Sequence, residues 1–252
     1  MRFADKVILV TGATSGMGRA VVERVSAEGA KVVLAARGKE AGDAFVAELR
    51  SVGRDAIFLP SDVTVGAEVE ELVARAVRHY GRLDGAFNNV GAATAYGPVT
   101  EIDDDAWAAE MSLNLNSVFF GLKYQIPALQ ASGGGSIVNN ASVTGVTGAA
   151  GMAPYSAAKH GVVGLTRSAA LDVAAAGVRI NALVTGGVDT PLLRGNMGPN
   201  PEEAIRVANE MHPVGRIGHP DEIAALAAFL LSDEALFITG AALAIDGGLT
   251  AA

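Results

Sequence analysis

Short aliphatic runs alternate with longer amphipathic ones along the chain. Lys6 to Val10, Lys31 to Ala36, Asp55 to Leu59, Leu83 to Phe87, Ser136 to Asn140, Val178 to Val184 and Ala241 to Ile245 each read as a strand buried on both faces. Between them, helices are expected over Gly16 to Gly29, Lys39 to Val52, Gly66 to Tyr80, Asp103 to Leu129, Ala153 to Ala176 and Pro220 to Ser232. In the third of these, Val69, Leu72, Val73, Ala76 and Val77 recur at helical spacing. Pro127 is expected to kink or end the longest. Leu192 to Pro213 breaks the rhythm: it is polar, interrupted by Gly and Pro, and carries one short expected helix from Glu202 to Met211. Strict alternation of strand and helix predicts an α/β fold. It would be a single doubly wound domain over residues 1–252, a seven-stranded parallel sheet with helices on both faces and right-handed crossovers.

Composition supports a large core, with 50% hydrophobic and 18% charged residues in 252. A net charge of -8 and the lack of a basic block argue against a nucleic-acid partner. The longest apolar run, Ile223 to Leu231, falls far short of the roughly 20 residues a membrane span needs. With no cysteine, disulfides, thiolate metal sites and cysteine nucleophiles are excluded, which suits a reducing compartment; a cytoplasmic protein without a signal peptide is expected. Asp103-Asp104-Asp105 reads as an exposed helix start, so no metal site is expected.

Parallel sheets of this kind bind ligands at the carboxyl ends of their strands. The unusual stretches all lie there: Thr11 to Gly18, Arg37, Asp62-Val63, Asn88 to Gly91, Ser142 and Thr185 to Thr190. Between first strand and first helix stands Gly12-Ala13-Thr14-Ser15-Gly16-Met17-Gly18. Gly12 suits a tight turn, Gly16 and Gly18 suit close approach, and the free N–H groups of the helix start suit a pyrophosphate. Dinucleotide sites for NAD place an acid after the second strand to hold the ribose diol. Here that position reads Ala36-Arg37-Gly38-Lys39, and a guanidinium matches a 2′-phosphate, so NADP(H) is favoured over NAD(H). Solvation of Arg37 at a helix start is the plainer alternative. Asp62 and Val63 either flank an adenine or, through Asp62, cap the next helix.

The segment from Ser142 to Lys159 carries the chemistry. Tyr155 and Lys159 stand four apart and share a helix face. An ammonium near a phenol favours the phenolate, and a tyrosine otherwise titrates near pH ~10. Ser142 adds a hydroxyl suited to holding a substrate oxygen. Alone, Tyr-x-x-x-Lys is equally well read as packing beside a solvated lysine.

Taken together, the Thr-Gly-x-x-x-Gly-x-Gly turn, Asp62-Val63, Asn88-Asn89-x-Gly91, Asn114, Ser142, Tyr155-x-x-x-Lys159 and the closing Ile245-Asp246-Gly247-Gly248 resemble the classical short-chain dehydrogenase/reductase family over nearly the whole chain. The resemblance implies a Rossmann-type fold and an oxidoreductase. It implies Tyr155 as general acid and base, with Lys159 lowering its pKa and bonding the nicotinamide ribose. Ser142 would stabilise the carbonyl oxygen, and Asn114 would hold a water behind Lys159. Asn89, Gly91, Gly186, Val188 and Thr190 would line the nicotinamide end. The family's usual Pro-Gly after the sixth strand is Thr185-Gly186 here, which suggests a looser wall.

Ketone reduction with NADPH is therefore the leading expectation. An NAD-dependent alcohol or diol dehydrogenase and a dinucleotide-sensing binding module are the alternatives. Gly91 to Pro98 and Leu192 to Pro213 should shape the substrate side; Leu192, Leu193, Met197 and Met211 suggest an apolar or medium-sized ketone. His79 and His160 read as structural, and His212 as a solvated loop residue or a substrate contact. Trp107 reads as packing or interface. By resemblance a homotetramer is implied, formed by the long helix, the Tyr155 helix and the last strand.

Overall fold

The structure, a computed structural model, describes residues 1–196 and 200–251. Seven parallel strands form one sheet: β1 (Val7–Thr11), β2 (Lys31–Ala36), β3 (Ala56–Pro60), β4 (Gly85–Asn88), β5 (Gly135–Asn140), β6 (Val178–Thr185) and β7 (Ala242–Ile245). Their spatial order is β3-β2-β1-β4-β5-β6-β7. Helices α1 (Gly16–Ala27), α2 (Lys39–Ser51), α3 (Gly66–Tyr80), α4 (Asp104–Met111), α5 (Ser117–Ala131), α6 (Ala153–Val173), α7 (Pro191–Gly195), α8 (Pro201–Met211) and α9 (Pro220–Leu231) connect them. The α/β doubly wound fold expected from the alternation is the one observed.

β1 and β2 read as nearly unbroken apolar runs because both faces are buried. Along β1, Ile8 and Val10 enter a core with Val21, Val25 and Ala227, on the side of α1 and α9. Val7 and Leu9 enter the opposite core with Leu72, Leu122 and Val162, on the side of α3, α5 and α6. Helix α2 lies so close to β3 that a Cβ on Gly42 would stand 2.3 Å from the Phe58 ring.

Two features depart from expectation. The long helix expected from Asp103 to Leu129 is interrupted by a π-turn over Ser112–Asn116. Beyond it, Pro127 does not end the helix: α5 runs through it to Ala131. Leu122 and Leu129, buried on either side of the proline, pack into the sheet and hold both turns. A short helix, α7, also begins at Pro191, capped by Thr190, whose Oγ1 accepts from the Leu193 N–H at 3.2 Å.

Candidate active site

The strand order reverses between β1 and β4, where Ile8 pairs with Gly85. At the carboxyl ends of these strands lies a cavity of about 420 Å³. Gly12, Thr14, Ser15, Gly16, Met17, Arg37, Asp62, Val63, Asn89, Gly91 and Thr190 all border it. Gly18, Asn114, Ser142, Tyr155, Lys159, Gly186 and Val188 do not.

Gly12 and Gly16 have φ of 62° and 51°, a left-handed turn that side chains rarely accept. Gly18 faces the turn itself, and a Cβ there would stand 2.2 Å from the Gly12 carbonyl oxygen. Ser15 precedes α1 without a side-chain cap, and the first turn holds no acid, so its N–H groups suit an anion. Thr190 closes over this turn, with its Cγ2 3.1 Å from where a Cβ on Gly16 would stand. Arg37 is exposed at the rim, while Asp62 makes a local turn by accepting from the Thr64 N–H and hydroxyl. The Thr64 hydroxyl, its N–H and the charge of Arg37 together hold the Asp62 carboxyl below its ordinary value against partial burial. Asp62 does not cap α3, whose N-cap is Val65.

Side-chain amides tie the strand ends together. Asn89 donates from its Nδ2 to the Thr11 carbonyl at 3.3 Å, and its N–H to Thr11 Oγ1 at 3.0 Å. Asn140 Nδ2 donates to Asn89 Oδ1 at 3.1 Å, and Thr185 Oγ1 donates to Asn140 Oδ1 at 3.4 Å. Lys159, only 2% exposed, donates from Nζ to the Asn140 carbonyl at 2.9 Å.

Lys159 lies beside the cavity, since a Cβ on Gly91 would stand 2.9 Å from its Nζ. One turn earlier on α6 is Tyr155, with Lys159 Nζ 5.5 Å from its ring centre. Ser142, at the end of β5, accepts at Oγ from the Thr144 N–H at 3.2 Å and from the Thr144 hydroxyl at 3.1 Å. Burial pushes the Tyr155 phenol up to about 12; the Ser142 hydroxyl pulls the other way, and Glu110 adds to the rise. The net direction is the reverse of the one that the Tyr155–Lys159 spacing suggests. Burial pushes Lys159 down to about 8, opposed by the charge of Glu110.

Asn114 sits fully buried in the π-turn, a distortion frequent at functional sites. Its Oδ1 accepts from the Ala92 N–H at 3.0 Å, and its Nδ2 donates to the Ala92 carbonyl at 2.8 Å and to Glu110 Oε1 at 3.0 Å. Glu110 escaped the sequence reading because a glutamate in a helical run reads as a solvated face. Its spacing of one helical turn before Asn114 was the available signal.

His212 is neither solvated nor open to a substrate. It is 5% exposed, and its Nε2 accepts from the Gly187 N–H at 2.9 Å. Nδ1 faces the Ala208 carbonyl at 2.7 Å, which fixes Nδ1 as the protonated nitrogen. The imidazole thus braces the wall that Thr185-Gly186 was expected to leave loose. His79 and His160 are exposed on helices, and Trp107 is partly exposed on α4. Met197 lies outside the described residues. Among the described residues no group of acidic, histidine or cysteine side chains could hold a metal, and no helix is long and apolar enough to cross a membrane.

The sequence profile described as enoyl-(acyl carrier protein) reductase matches residues 12–250. A 2,5-dichloro-2,5-cyclohexadiene-1,4-diol dehydrogenase of Sphingobium indicum is 45% identical over 98% of this chain and 98% of its own. The chain belongs to the short-chain dehydrogenase/reductase family. A cyclohexanol dehydrogenase of an Acinetobacter species is 39% identical over 99% of this chain and 96% of its own. Among solved structures, a levodione reductase superposes with a TM-score of 0.96 at 38% identity, covering all of both chains. A variant actinorhodin polyketide ketoreductase crystallised with NADPH superposes with a TM-score of 0.91 at 37% identity, over 99% of this chain and 98% of its own. This short-chain dehydrogenase/reductase is an oxidoreductase acting on a carbonyl and alcohol pair, and its family binds a nicotinamide dinucleotide. The glycine cradle, which a Cβ on Gly18 would fill, and the uncapped start of α1 fit that group.

Proposed function

We propose that this chain interconverts a cyclic ketone and its secondary alcohol with NADP(H), residues 1–252 acting as one dinucleotide-binding and catalytic domain. The observation that carries this reading is the meeting of Ser142, Tyr155 and Lys159, with Lys159 beside Gly91, which lines the cavity. The names of the two curated relatives, a cyclohexanol and a cyclohexadiene-diol dehydrogenase, supply the substrate class.

The glycine turn with Thr14, Ser15 and Met17 would hold the pyrophosphate, Asp62 and Val63 the adenine, and Arg37 a 2′-phosphate. Asn89, Gly91, Gly186, Val188 and Thr190 would position the nicotinamide end. When bound, the cofactor gives or takes the hydride. Tyr155 gives its proton to the carbonyl oxygen during reduction and takes it back during oxidation. Held up to about 12, the phenol stays protonated at neutral pH, which favours its role as the acid. Ser142 holds the oxygen on which negative charge grows. Lys159 would place positive charge near Tyr155 and hold the ribose, and Asn114 anchors the turn beside Gly91. Helices α7 and α8 would cover the substrate.

Fluorescence titration with NADPH and NADH tests the cofactor assignment. Arg37→Ala should weaken NADPH binding by about tenfold, the value of one charge-assisted contact, and leave NADH binding unchanged. Equal or better NADH binding by the wild type would replace this reading with an NAD-dependent alcohol or diol dehydrogenase; the relatives' names give the alcohol and diol substrates but no cofactor. Turnover of cyclohexanol and cyclohexanone tests the substrate class. We also infer a cytoplasmic homotetramer, supported by the exposed Trp107 and Phe119 on α4 and α5 and by β7 at the sheet edge; a monomer in analytical ultracentrifugation would refute it.

A further inference from the structure

Glu110 has no solvent exposure at all, yet it is a carboxylate. A buried carboxylate persists only when donors and a counter-charge surround it. Its Oε2 accepts from the Thr94 hydroxyl and from the N–H groups of Thr94 at 3.0 Å and Ala95 at 3.1 Å. Its Oε1 accepts from Asn114 Nδ2 at 3.0 Å. One carboxylate thereby joins α4, the π-turn and the loop after Gly91 that faces the substrate side.

The charge has an equally specific setting. Gly91 is wedged between Asn114 and Lys159: a Cβ on it would stand 2.8 Å from Asn114 Oδ1 and 2.9 Å from Lys159 Nζ. Glu110, Asn114, Gly91 and Lys159 therefore form one contiguous stack running up to Tyr155. The titratable groups that feel Glu110 are Tyr96 from the loop and Tyr155 and Lys159 from α6. On its own helix, Asp103, Asp104 and Asp105 are exposed at the far end.

Resting on the oxidoreductase reading above, we propose that Glu110 is a positioning residue for this site. Its carboxylate is the buried counter-charge of Lys159, and the same group clamps the Thr94–Ala95 wall to the Asn114 turn. The negative charge raises the proton affinity of both Lys159 and Tyr155, so it helps keep the lysine cationic and the phenol protonated at neutral pH.

The test is the alkaline titration of the Tyr155 phenolate. It is read by ultraviolet absorbance as the difference between each protein and its Tyr155→Phe counterpart. Glu110→Gln should move that titration to lower pH and lower kcat/KM for cyclohexanone by about tenfold through the loosened geometry. Glu110→Asp, which keeps the charge, should restore the wild-type titration. Thr94→Val, which removes one clamp donor and no charge, should raise KM without moving the titration. A Glu110→Gln phenolate that titrates as in the wild type, or a Thr94→Val phenolate that shifts as far as that of Glu110→Gln, overturns the proposal. Because the titration needs no substrate, a chain inactive on every cyclic alcohol would count against the proposed function and leave this test intact.

Discussion

The two halves of the site are built from opposite materials. The half under β1 and β2 is made of backbone and of missing side chains: Gly12, Gly16 and Gly18 fold a bare turn against a bare helix start. The half under β4, β5 and β6 is made of polar side chains, Asn89 half-buried and Asn140, Lys159, Asn114 and Glu110 buried, each held by a named partner. A cradle for a phosphate needs room and N–H groups, and its hold comes from many small contacts. A proton-transfer centre needs particular atoms at particular distances in a dry setting, where one unpaired group is costly.

If that contrast is right, substitutions should fail differently on the two sides. The largest effect belongs to Tyr155→Phe. It should lower kcat by about a hundred- to ten-thousandfold while the cofactor Kd, measured by fluorescence, stays as in the wild type. In the oxidation direction, the wild-type rate should climb with pH throughout the alkaline range, because Tyr155 releases its proton only near about 12.

Next comes Lys159. Its folded value of about 8 lies below the ordinary 10.5, so between those values the unfolded chain binds more protons than the folded one. Stability should therefore rise with pH across that window, by up to about 3 kcal/mol. Urea melts at stepped pH should show the rise in the wild type and lose it in Lys159→Met.

On the glycine side, Gly18→Ala drives a Cβ into the Gly12 carbonyl, and backbone must move to admit it. It should cost about 1–3 kcal/mol in a denaturant melt and weaken cofactor binding with kcat at saturation nearly unchanged. The smallest effect expected is that of His212→Phe, which leaves the Gly187 N–H without its acceptor. About 1–2 kcal/mol of stability and a raised KM for the cofactor are expected, with Tyr155 titrating as before.

The same contrast governs what could be read from the chain. The glycine side was legible because glycines at fixed spacing between an aliphatic run and a helical run have few other uses. The strands were legible because their central residues are buried on both faces and most of them are aliphatic. The catalytic side was legible where residue type is unusual, as at Tyr155 and Lys159, and illegible where it is ordinary. Glu110 looks like any helix glutamate until the loop at Thr94 folds over it. His212 lies next to Pro213 in a broken polar segment, and only the tertiary fold reveals that its ring meets Gly187. The π-turn leaves no trace either, since one extra residue in a turn hardly disturbs an apolar pattern that continues into α5. Pro127 does not end the helix for a related reason: packing on both sides of it outweighs the lost hydrogen bond.

The brace between His212 and Gly187 also bears on how this enzyme can be altered. The histidine directly follows α8 and hydrogen-bonds back to it at Ala208, while its other nitrogen accepts from the Gly187 N–H just beyond β6. Helix α8 and the chain after β6 are therefore one mechanical part. With α8 over the substrate and Gly186 to Val188 at the nicotinamide, as proposed above, changes in Pro201–Met211 that widen or narrow the substrate site should also alter cofactor affinity. Substrate range and cofactor affinity in this chain should evolve, or be engineered, together.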